Sequence, residues 1–403
     1  MVKTLNLRAP RARLAAVLGA SLLSLLAACG GGGGSSGTPV TNNGTLQLAL
    51  TDAPACGYDQ VNITLQKVRV HQSSSAADTD AGWSEITLNP ALRVDLLTLR
   101  NGVLATLGST PLPPGRYTQM RLVLASNGGG APWANSVVPT GGAEQSLSTP
   151  SGAQSGVKLN VDITVKPNEL ADLVLDFDAC KSLVRAGNSG QILLKPVVSV
   201  IPRLISGVSG SVEAGIASGN TVVALEQNGV VVKSTSPDGT GKYLLQPVVP
   251  GTYDLVVSAP GRATAVVTGV VVAGGAVTPL ATGTTGLNPP ASATGVLAGT
   301  VSTGSDPVEA TVQATQALSL GRSVSVVQGS VNATTGVYTF TVPVGAPMVA
   351  PFVAAPATLS FTADTAAAGR YSLVAANASG AVKNAGPVTL TSGATITTPF
   401  SFP

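Results

Sequence analysis

The chain has 403 residues, of which 22 are basic, 19 are acidic and one is histidine, and only 3% are aromatic. Residues 1–28 contain four of the basic and none of the acidic residues, which leaves 18 basic against 19 acidic residues in the remainder. This balance excludes an electrostatic basis for binding nucleic acid or a polybasic attraction to membranes. A single histidine excludes zinc sites that need two.

Residues 1–28 have the pattern of a secretory signal peptide. A basic start is followed by an apolar run over residues 14–28, which is too short to span a bilayer as a stable helix. The run ends in Leu26-Ala27-Ala28-Cys29, which resembles the lipobox of bacterial lipoproteins. That resemblance implies that Cys29 carries acyl chains such as palmitate, and several chains give stable membrane anchoring. An ordinary signal peptide with a chance cysteine is the alternative.

Residues 29–43 are predicted to be the acylated cysteine and a flexible tether, because five glycines and two serines follow Cys29. Gly30 stands where aspartate would signal inner-membrane retention in enteric bacteria. By that resemblance we expect a lipid-anchored protein of the cell envelope, on the outer membrane of a Gram-negative bacterium.

Alternation of apolar and polar residues predicts β-strands through a first domain at residues 44–203. The apolar phase shifts within residues 61–70, which predicts a β-bulge near Gln66 or Lys67. Residues 95–107 are predicted to hold a short helix or a hairpin. Residues 126–139 are rich in Gly, Asn and Pro and are predicted to be a long surface loop.

Two smaller β-sandwich domains are predicted at residues 205–280 and 293–403, so the chain is expected to be all-β with tandem sandwiches. Asn228-Gly229 between two apolar runs predicts a hairpin. Residues 297–301 and 369–373 resemble residues 208–212 and 251–255, so the third domain repeats the second.

Cys56 and Cys180 remain once Cys29 is assigned to lipid. Each lies just past an alternating strand, and an even number of cysteines in an oxidising compartment predicts a disulfide. Closing so long a loop contributes roughly 4–5 kcal/mol in the chain-entropy model. Two free thiols are the alternative.

Three aspartates are the candidates for metal binding. Asp176 and Asp178 lie two apart on one strand and so share a face. If the disulfide forms, Asp52 lies near them, and three carboxylates at strand ends supply oxygen ligands for calcium. The alternatives are turn-capping aspartates on a solvated face, or a weak hydrolase in which Asp176 and Asp178 act as acid and base.

Two tryptophans and the histidine are the remaining candidates. Trp133, in its Gly- and Pro-rich loop, is the candidate for stacking on a carbohydrate ligand, whereas Trp83 beside an alternating strand is expected to be buried. His71 is expected to be an exposed strand residue without catalytic partners.

Two segments resemble known families. Val208-Ser209-Gly210, Asp238-Gly239-Thr240-Gly241 and Pro250-Gly251-Thr252-Tyr253 resemble the carboxypeptidase regulatory-like (transthyretin-like) β-sandwich, which implies a non-catalytic accessory module. Residues 50–54, 112–119, 175–178 and 194–197 resemble the bacterial lipoprotein domain of unknown function 4382 (DUF4382). That resemblance implies an exported, anchored β-rich domain and brings no catalytic residues.

We therefore expect a non-catalytic, lipid-anchored envelope protein with a binding, adhesion or structural role. Its partners are expected to be the membrane, through the N-terminal lipid, and an unidentified envelope protein or glycan. No cofactor other than calcium is expected. The alternative is a calcium-dependent adhesin, or an accessory subunit or weak hydrolase acting on glycan or peptide.

Overall fold

The computed structural model describes residues 42–52, 57–149, 152, 155–186, 190–280, 282–283, 286–304, 308–354 and 357–403. Residues Asn42–Pro403 form one compact unit. The predicted signal peptide, Cys29 and the tether up to residue 41 lie outside the described residues. In the described part, no helix is long and apolar enough to cross a membrane. The expectation of an all-β fold with tandem sandwiches is confirmed.

Twelve strands, which we call the first module, surround one hydrophobic core. The described strands are β1 (Gly44–Asp52), β2 (Tyr58–His71), β3 (Ser84–Asp95), β4 (Ala105–Leu112), β5 (Gly115–Leu124), β6 (Ser136–Pro139), β7 (Gln145–Ser148), β8 (Val157–Val165), β9 (Leu170–Phe177), β10 (Leu183–Ala186), β11 (Gln191–Leu194) and β12 (Val198–Pro202). A single helical turn, α1 (Ala179–Ser182), follows β9.

The core of the first module lies between two sheets. The smaller has the order β12-β9-β1-β4, and the larger has the order β10-β11-β7-β6-β2-β5-β8 with β3 beside β2. Leu46, Leu48 and Leu50 alternate along β1 and are fully buried, as a strand with one face on the core requires. The predicted bulge in β2 is confirmed, because the register with β3 and β5 shifts between Leu65 and Lys67.

The short helix expected within residues 95–107 is confirmed, whereas the long loop expected over residues 126–139 is confirmed only in part. In residues 95–107 a 3-10 turn at Leu96–Leu99, capped by the Asp95 side chain, is followed by a turn in which Asn101 and Gly102 both have positive φ. The prediction of a surface loop over residues 126–139 was wrong in its last third, which contains β6. Asn135 is fully buried there, since its amide bonds the backbone of Thr64 and Ala125.

The next strands form the second and third modules, each around its own core. The second module consists of β13 (Gly207–Ser211), β14 (Val222–Gln227), β15 (Val230–Thr235), β16 (Lys242–Leu245), β17 (Gly251–Ser258), β18 (Ala265–Val272) and β19 (Val277–Pro279). The third consists of β20 (Thr294–Ser302), β21 (Ala310–Ala317), β22 (Ser323–Ser330), β23 (Val337–Pro343), β24 (Met348–Pro351), β25 (Thr362–Ala363), β26 (Arg370–Asn377), β27 (Val382–Thr389), β28 (Thr395–Thr397) and β29 (Phe400–Ser401).

These two modules share a topology. The orders β16-β13-β19 and β15-β14-β17-β18 of the second correspond to β23-β20-β28 and β22-β21-β26-β27 of the third. The Asn228-Gly229 hairpin is confirmed between β14 and β15, with positive φ at both residues. Tyr253 on β17 and Tyr371 on β26 also correspond, because each lies on the equivalent strand and donates its hydroxyl to a backbone carbonyl, that of Val249 and that of Pro343 respectively.

One segment of the third module breaks the correspondence. Between β23 and β26 the chain leaves its own sandwich, and β24 adds in parallel to β18 of the second module, followed by β25. The second module's larger sheet is thereby completed by residues far along the chain. This covers an edge strand, which would otherwise expose unpaired backbone groups.

Candidate functional site

The polar contacts that join the three modules are the most distinctive arrangement of functional groups in the described residues. Lys233 Nζ, from β15, lies 2.6 Å from Asp176 Oδ1, from β9. The Lys233 side chain is only 3% exposed and that of Asp176 12%. Asp176 lies opposite Thr51 in the parallel β1–β9 pair, so it faces away from the core side that Leu50 and Phe177 occupy. That orientation directs it toward the second module.

The electrostatics of this pair are those of a water-poor interface. Burial raises the pKa of Asp176, and the charge and hydrogen bond of Lys233 oppose that rise. Asp178 raises the pKa further and Lys181 lowers it. A buried ion pair adds little net stability over an apolar contact, but losing one partner leaves an uncompensated charge. The pair therefore fixes the orientation of the two modules.

A turn of the first module makes the second contact with the same neighbour. The backbone N–H of Asn101 donates to Thr235 Oγ1 at 3.0 Å. Asn101 Oδ1 in turn accepts from Thr235 Oγ1 at 3.0 Å and from the backbone N–H of Leu244 at 3.2 Å. The left-handed conformation of Asn101, which asparagine tolerates better than most residues, presents these groups outward.

The first module also contacts the third. Lys195 pairs with Glu309. Ser330 Oγ donates to the carbonyl of Lys181 at 2.9 Å, and the N–H of Ala333 donates to the carbonyl of Arg185 at 3.0 Å. Both backbone acceptors lie in or just after α1, so the short helix is part of this interface.

The second and third modules share both backbone and side-chain contacts. Besides the β18–β24 pairing, a small apolar cluster joins them, in which Leu318, Val324 and Ala367 of the third module meet Val256 and Val266 of the second. With these contacts, each module touches the other two.

A cleft of about 350 Å³ lies beside β24, the strand that pairs with β18 of the second module. Its walls are mainly apolar and include Leu287, Pro289, Met348, Leu359 and Phe361. Leu287 and Pro289 lie in the segment between the two predicted sandwich domains, 205–280 and 293–403. That segment is not a free linker, because Leu287 is buried in the second core and bridges Val212.

The three candidate metal-binding aspartates are adjacent at the strand ends, as expected, but they point different ways. Asp52 pairs with Phe177 in the register, on the opposite side of the sheet from Asp176, and its Oδ1 accepts from the N–H of Ala179 at 3.3 Å. Asp178 caps α1 through Lys181 N and pairs with Lys181 Nζ at 2.9 Å. Among the described residues, no three His, Cys, Asp or Glu side chains form a group that could hold a metal. Calcium binding stays a prediction.

The predicted disulfide is described at one of its two residues. Cys180 lies in α1 and takes part in a disulfide. Cys56 falls within residues 53–56, outside the described residues, so the pairing of these two cysteines stays a prediction. The expected proximity of the strand ends is present, since Asp52 lies directly opposite Phe177.

The aromatic candidates are both half-buried. Trp133 lies in the segment that Asn127 and Asn135 hold in place through mutual hydrogen bonds. Trp83 packs against His71, with ring centroids 5.1 Å apart, and lies under the guanidinium groups of Arg69 and Arg121. Its indole N–H donates to Ala77 O, so Trp83 holds the loop after β2 against the sheet. Carbohydrate binding at Trp133 stays a prediction.

Sequence reasoning missed Lys233 and Glu226. Each directly follows an apolar run of valine, leucine or alanine in a predicted strand, and both are almost fully buried. A charge inside an apolar strand is the signal that could have identified them, because such a group is buried only with a partner or with its charge removed.

Comparison with curated proteins finds no match to the chain. Among solved structures, the Bacillus anthracis TIE protein is 13% identical with a TM-score of 0.17, covering 89% of this chain and 51% of its own. This chain therefore spans about half the length of that protein. The Bacillus cereus major pilin subunit BcpA is 11% identical with a TM-score of 0.14, covering 89% and 99%. The Corynebacterium diphtheriae major pilin SpaA is 11% identical with a TM-score of 0.16, covering 88% and 99%.

TM-scores this low carry no argument about the fold or function of this chain. The resemblance of the second module to carboxypeptidase regulatory-like domains stays a prediction. Residues 43–196 match the model of a protein family, the domain of unknown function DUF4382, which is the family that the motifs of the first module resemble.

Proposed function

We propose that the protein is a non-catalytic, lipid-anchored envelope protein that presents three β modules as one rigid body in a binding or structural role. The observation that supports the proposal is that each module contacts the other two through buried or specific polar groups, such as Lys233–Asp176, Ser330–Lys181 and Ser325–Glu226. Interfaces of this kind restrict the relative motion that linked domains otherwise show. Surfaces on different modules then keep a fixed spacing.

Attachment through Cys29 would place this body at the membrane surface of the envelope. We expect the full-length protein to incorporate alkyne-palmitate in a Gram-negative host and to fractionate with the outer membrane. Cys29→Ala abolishes both. The matched control is Ser36→Ala, which changes a residue just beyond the lipobox and keeps both.

The partner is sought by photo-crosslinking in intact cells. A photoreactive amino acid replaces Leu320 in the third module or Leu170 in the first, which are 67% and 58% exposed. We expect the anchored protein to form discrete crosslinked adducts with an envelope protein or glycan. We expect the Cys29→Ala variant to lose these adducts. A protein that stays soluble, or that gives no adduct from either module, contradicts the proposal.

Binding in solution separates the alternatives. The soluble chain 42–403 is tested on a glycan and peptidoglycan panel with and without calcium. Binding that requires calcium favours the adhesin alternative, and turnover of a glycan or peptide favours the hydrolase. Trp133→Ala then tests whether Trp133 contributes to any glycan binding.

A further inference from the structure

Two buried carboxyl groups lie side by side in the second module. Glu226 on β14 and Asp254 on β17 are direct partners in the antiparallel register, and their exposed fractions are 1% and 5%. Side chains of such a pair lie on the same face of the sheet. Two like charges this close in a water-poor site oppose each other's ionisation.

The hairpin formed by β21 and β22 of the third module contacts both groups. Arg322 Nη1 lies 2.7 Å from Asp254 Oδ1, which also accepts from the N–H of Gly269 at 3.0 Å. The N–H of Ser325 donates to Glu226 Oε2 at 2.8 Å. Arg322 and Ser325, which lie three residues apart in the chain, therefore hold Asp254 and Glu226 respectively.

The two carboxyl groups are held unequally. Asp254 has a cation, whereas Glu226 has a neutral backbone donor, and its Oε1 has no hydrogen-bond partner among the described residues. Burial and the charge of Asp254 raise the pKa of Glu226 to about 8, against the hydrogen bond from Ser325.

Among the residues that the structure describes, the groups lining the space beside Glu226 include no cation. This cavity of about 80 Å³ is lined by Asp178 and Cys180 of the first module and by valines, serines, Ala224 and Gln328 of the other two. Asp178 already pairs with Lys181, and Cys180 is in a disulfide. Arg322 is the one positively charged side chain that the described contacts place at this carboxyl pair.

We propose that Glu226 is a proton-dependent latch, which holds the third module's hairpin on the second module while it is protonated and loosens that contact when it ionises. Ionised beside Asp254, it has no cation of its own, and solvating it requires the hairpin to lift so that water enters. The inference goes beyond the proposed envelope role, since it concerns how two modules hold each other in any setting.

The direction of the pH dependence follows from proton linkage. Below about pH 4.5 Glu226 is protonated in both the docked and the lifted state. Between about pH 4.5 and 8 the docked state holds one proton more, so rising pH favours the lifted state. The loosening is complete above the pKa of the docked state.

The test is amide hydrogen exchange by mass spectrometry on the soluble chain 42–403 from pH 5 to 9. For peptides from β21 and β22, the amide exchange rate in the wild type is divided by the rate in Glu226→Gln at the same pH. This ratio cancels the intrinsic pH dependence of amide exchange. We expect a ratio that is lowest at pH 5 and rises at least tenfold by pH 9. Asp238→Asn, in an exposed turn of the second module, is the control and keeps the wild-type rise.

A ratio that stays flat from pH 5 to 9 overturns the proposal, as does an equal effect of Asp238→Asn. If Glu226→Gln does not fold, the wild type still decides. The exchange rates of its β21 and β22 peptides are then corrected for intrinsic rates and normalised to those of β8 in the first module. A loss of protection between pH 5 and 9 supports the proposal, and unchanged protection overturns it.

Discussion

Lys233 and Asp176 form a buried ion pair, 2.6 Å apart, between residues 57 positions apart in the chain and in different modules. Both side chains are almost fully buried, and each has its counter-charge on the other module. The pair is satisfied only when the first and second modules are docked. It therefore couples the folding of the two modules.

The first prediction concerns this pair. Asp176→Asn leaves the Lys233 ammonium buried without a counter-charge, and removing one partner of a buried pair costs about 3–5 kcal/mol of unfolding free energy. The double variant Asp176→Leu with Lys233→Met recovers most of that loss, because two apolar side chains can replace the pair. Urea unfolding of the soluble chain 42–403 measures both.

The matched control is Arg116–Asp162, an equally close ion pair on the surface, in which both side chains are about two-thirds exposed. Asp162→Asn is expected to leave the unfolding free energy nearly unchanged, because water and salt screen an ion pair this exposed. Equal losses for Asp162→Asn and Asp176→Asn would show that the modules are not docked through Asp176.

The second prediction concerns the turn at Asn101. Asn101→Gly keeps the positive φ but removes the side-chain bonds to Thr235 and Leu244, so it is expected to cost about 1–3 kcal/mol in urea unfolding. Asn168 has the same φ in an exposed turn, and Asn168→Gly is expected to stay within about 0.5 kcal/mol of wild type. A neutral Asn101→Gly would contradict the role given to this turn.

The third prediction concerns the apolar contact between the second and third modules. Leu318 is buried at that contact, whereas Leu320, two residues further in the same hairpin, is 67% exposed. Leu318→Ala is expected to lower the unfolding free energy by about 2–4 kcal/mol, through lost transfer energy and the cavity left behind. Leu320→Ala is expected to change it by less than about 0.5 kcal/mol. Similar values for both variants would mean that the hairpin is undocked.

The fourth prediction is the pH dependence that Glu226 gives to overall stability. Since its folded-state pKa is raised to about 8, its contribution is present in full below about pH 4.5 and is lost as the pH rises to 8. Between pH 5 and 8 we expect a loss on the order of 2 kcal/mol, less than the full shift implies because water enters the site. In Glu226→Gln, urea unfolding is expected to give the same unfolding free energy at the two pH values. A variant that loses as much stability between pH 5 and 8 as the wild type would contradict the assignment to Glu226.

Local features of the fold could be predicted from the sequence. The bulge after Leu65, the turn at Asn228-Gly229 and the buried face of β1 each follow from a few neighbouring residues, because side-chain alternation and positive φ are local properties. The repeated topology of the second and third modules was likewise visible in repeated turn and strand motifs.

The contacts between modules could not be predicted, because they depend on residues far apart in the chain. Nothing near Asp176 indicates that Lys233 is its partner, so the sequence makes this aspartate only a candidate calcium ligand or a solvated surface residue. The parallel register also decides which side of the sheet each carboxylate faces, and it separates Asp52 from Asp176. Similarly, nothing in residues 348–351 shows that they pair with β18 rather than with their own module.

Differential scanning calorimetry of the soluble chain 42–403 at pH 6 tests directly whether the three modules unfold as one body. We expect one cooperative transition with equal calorimetric and van't Hoff enthalpies. Two or three separate transitions, unaffected by Asp176→Asn or Leu318→Ala, would show that the modules fold independently and would contradict this expectation.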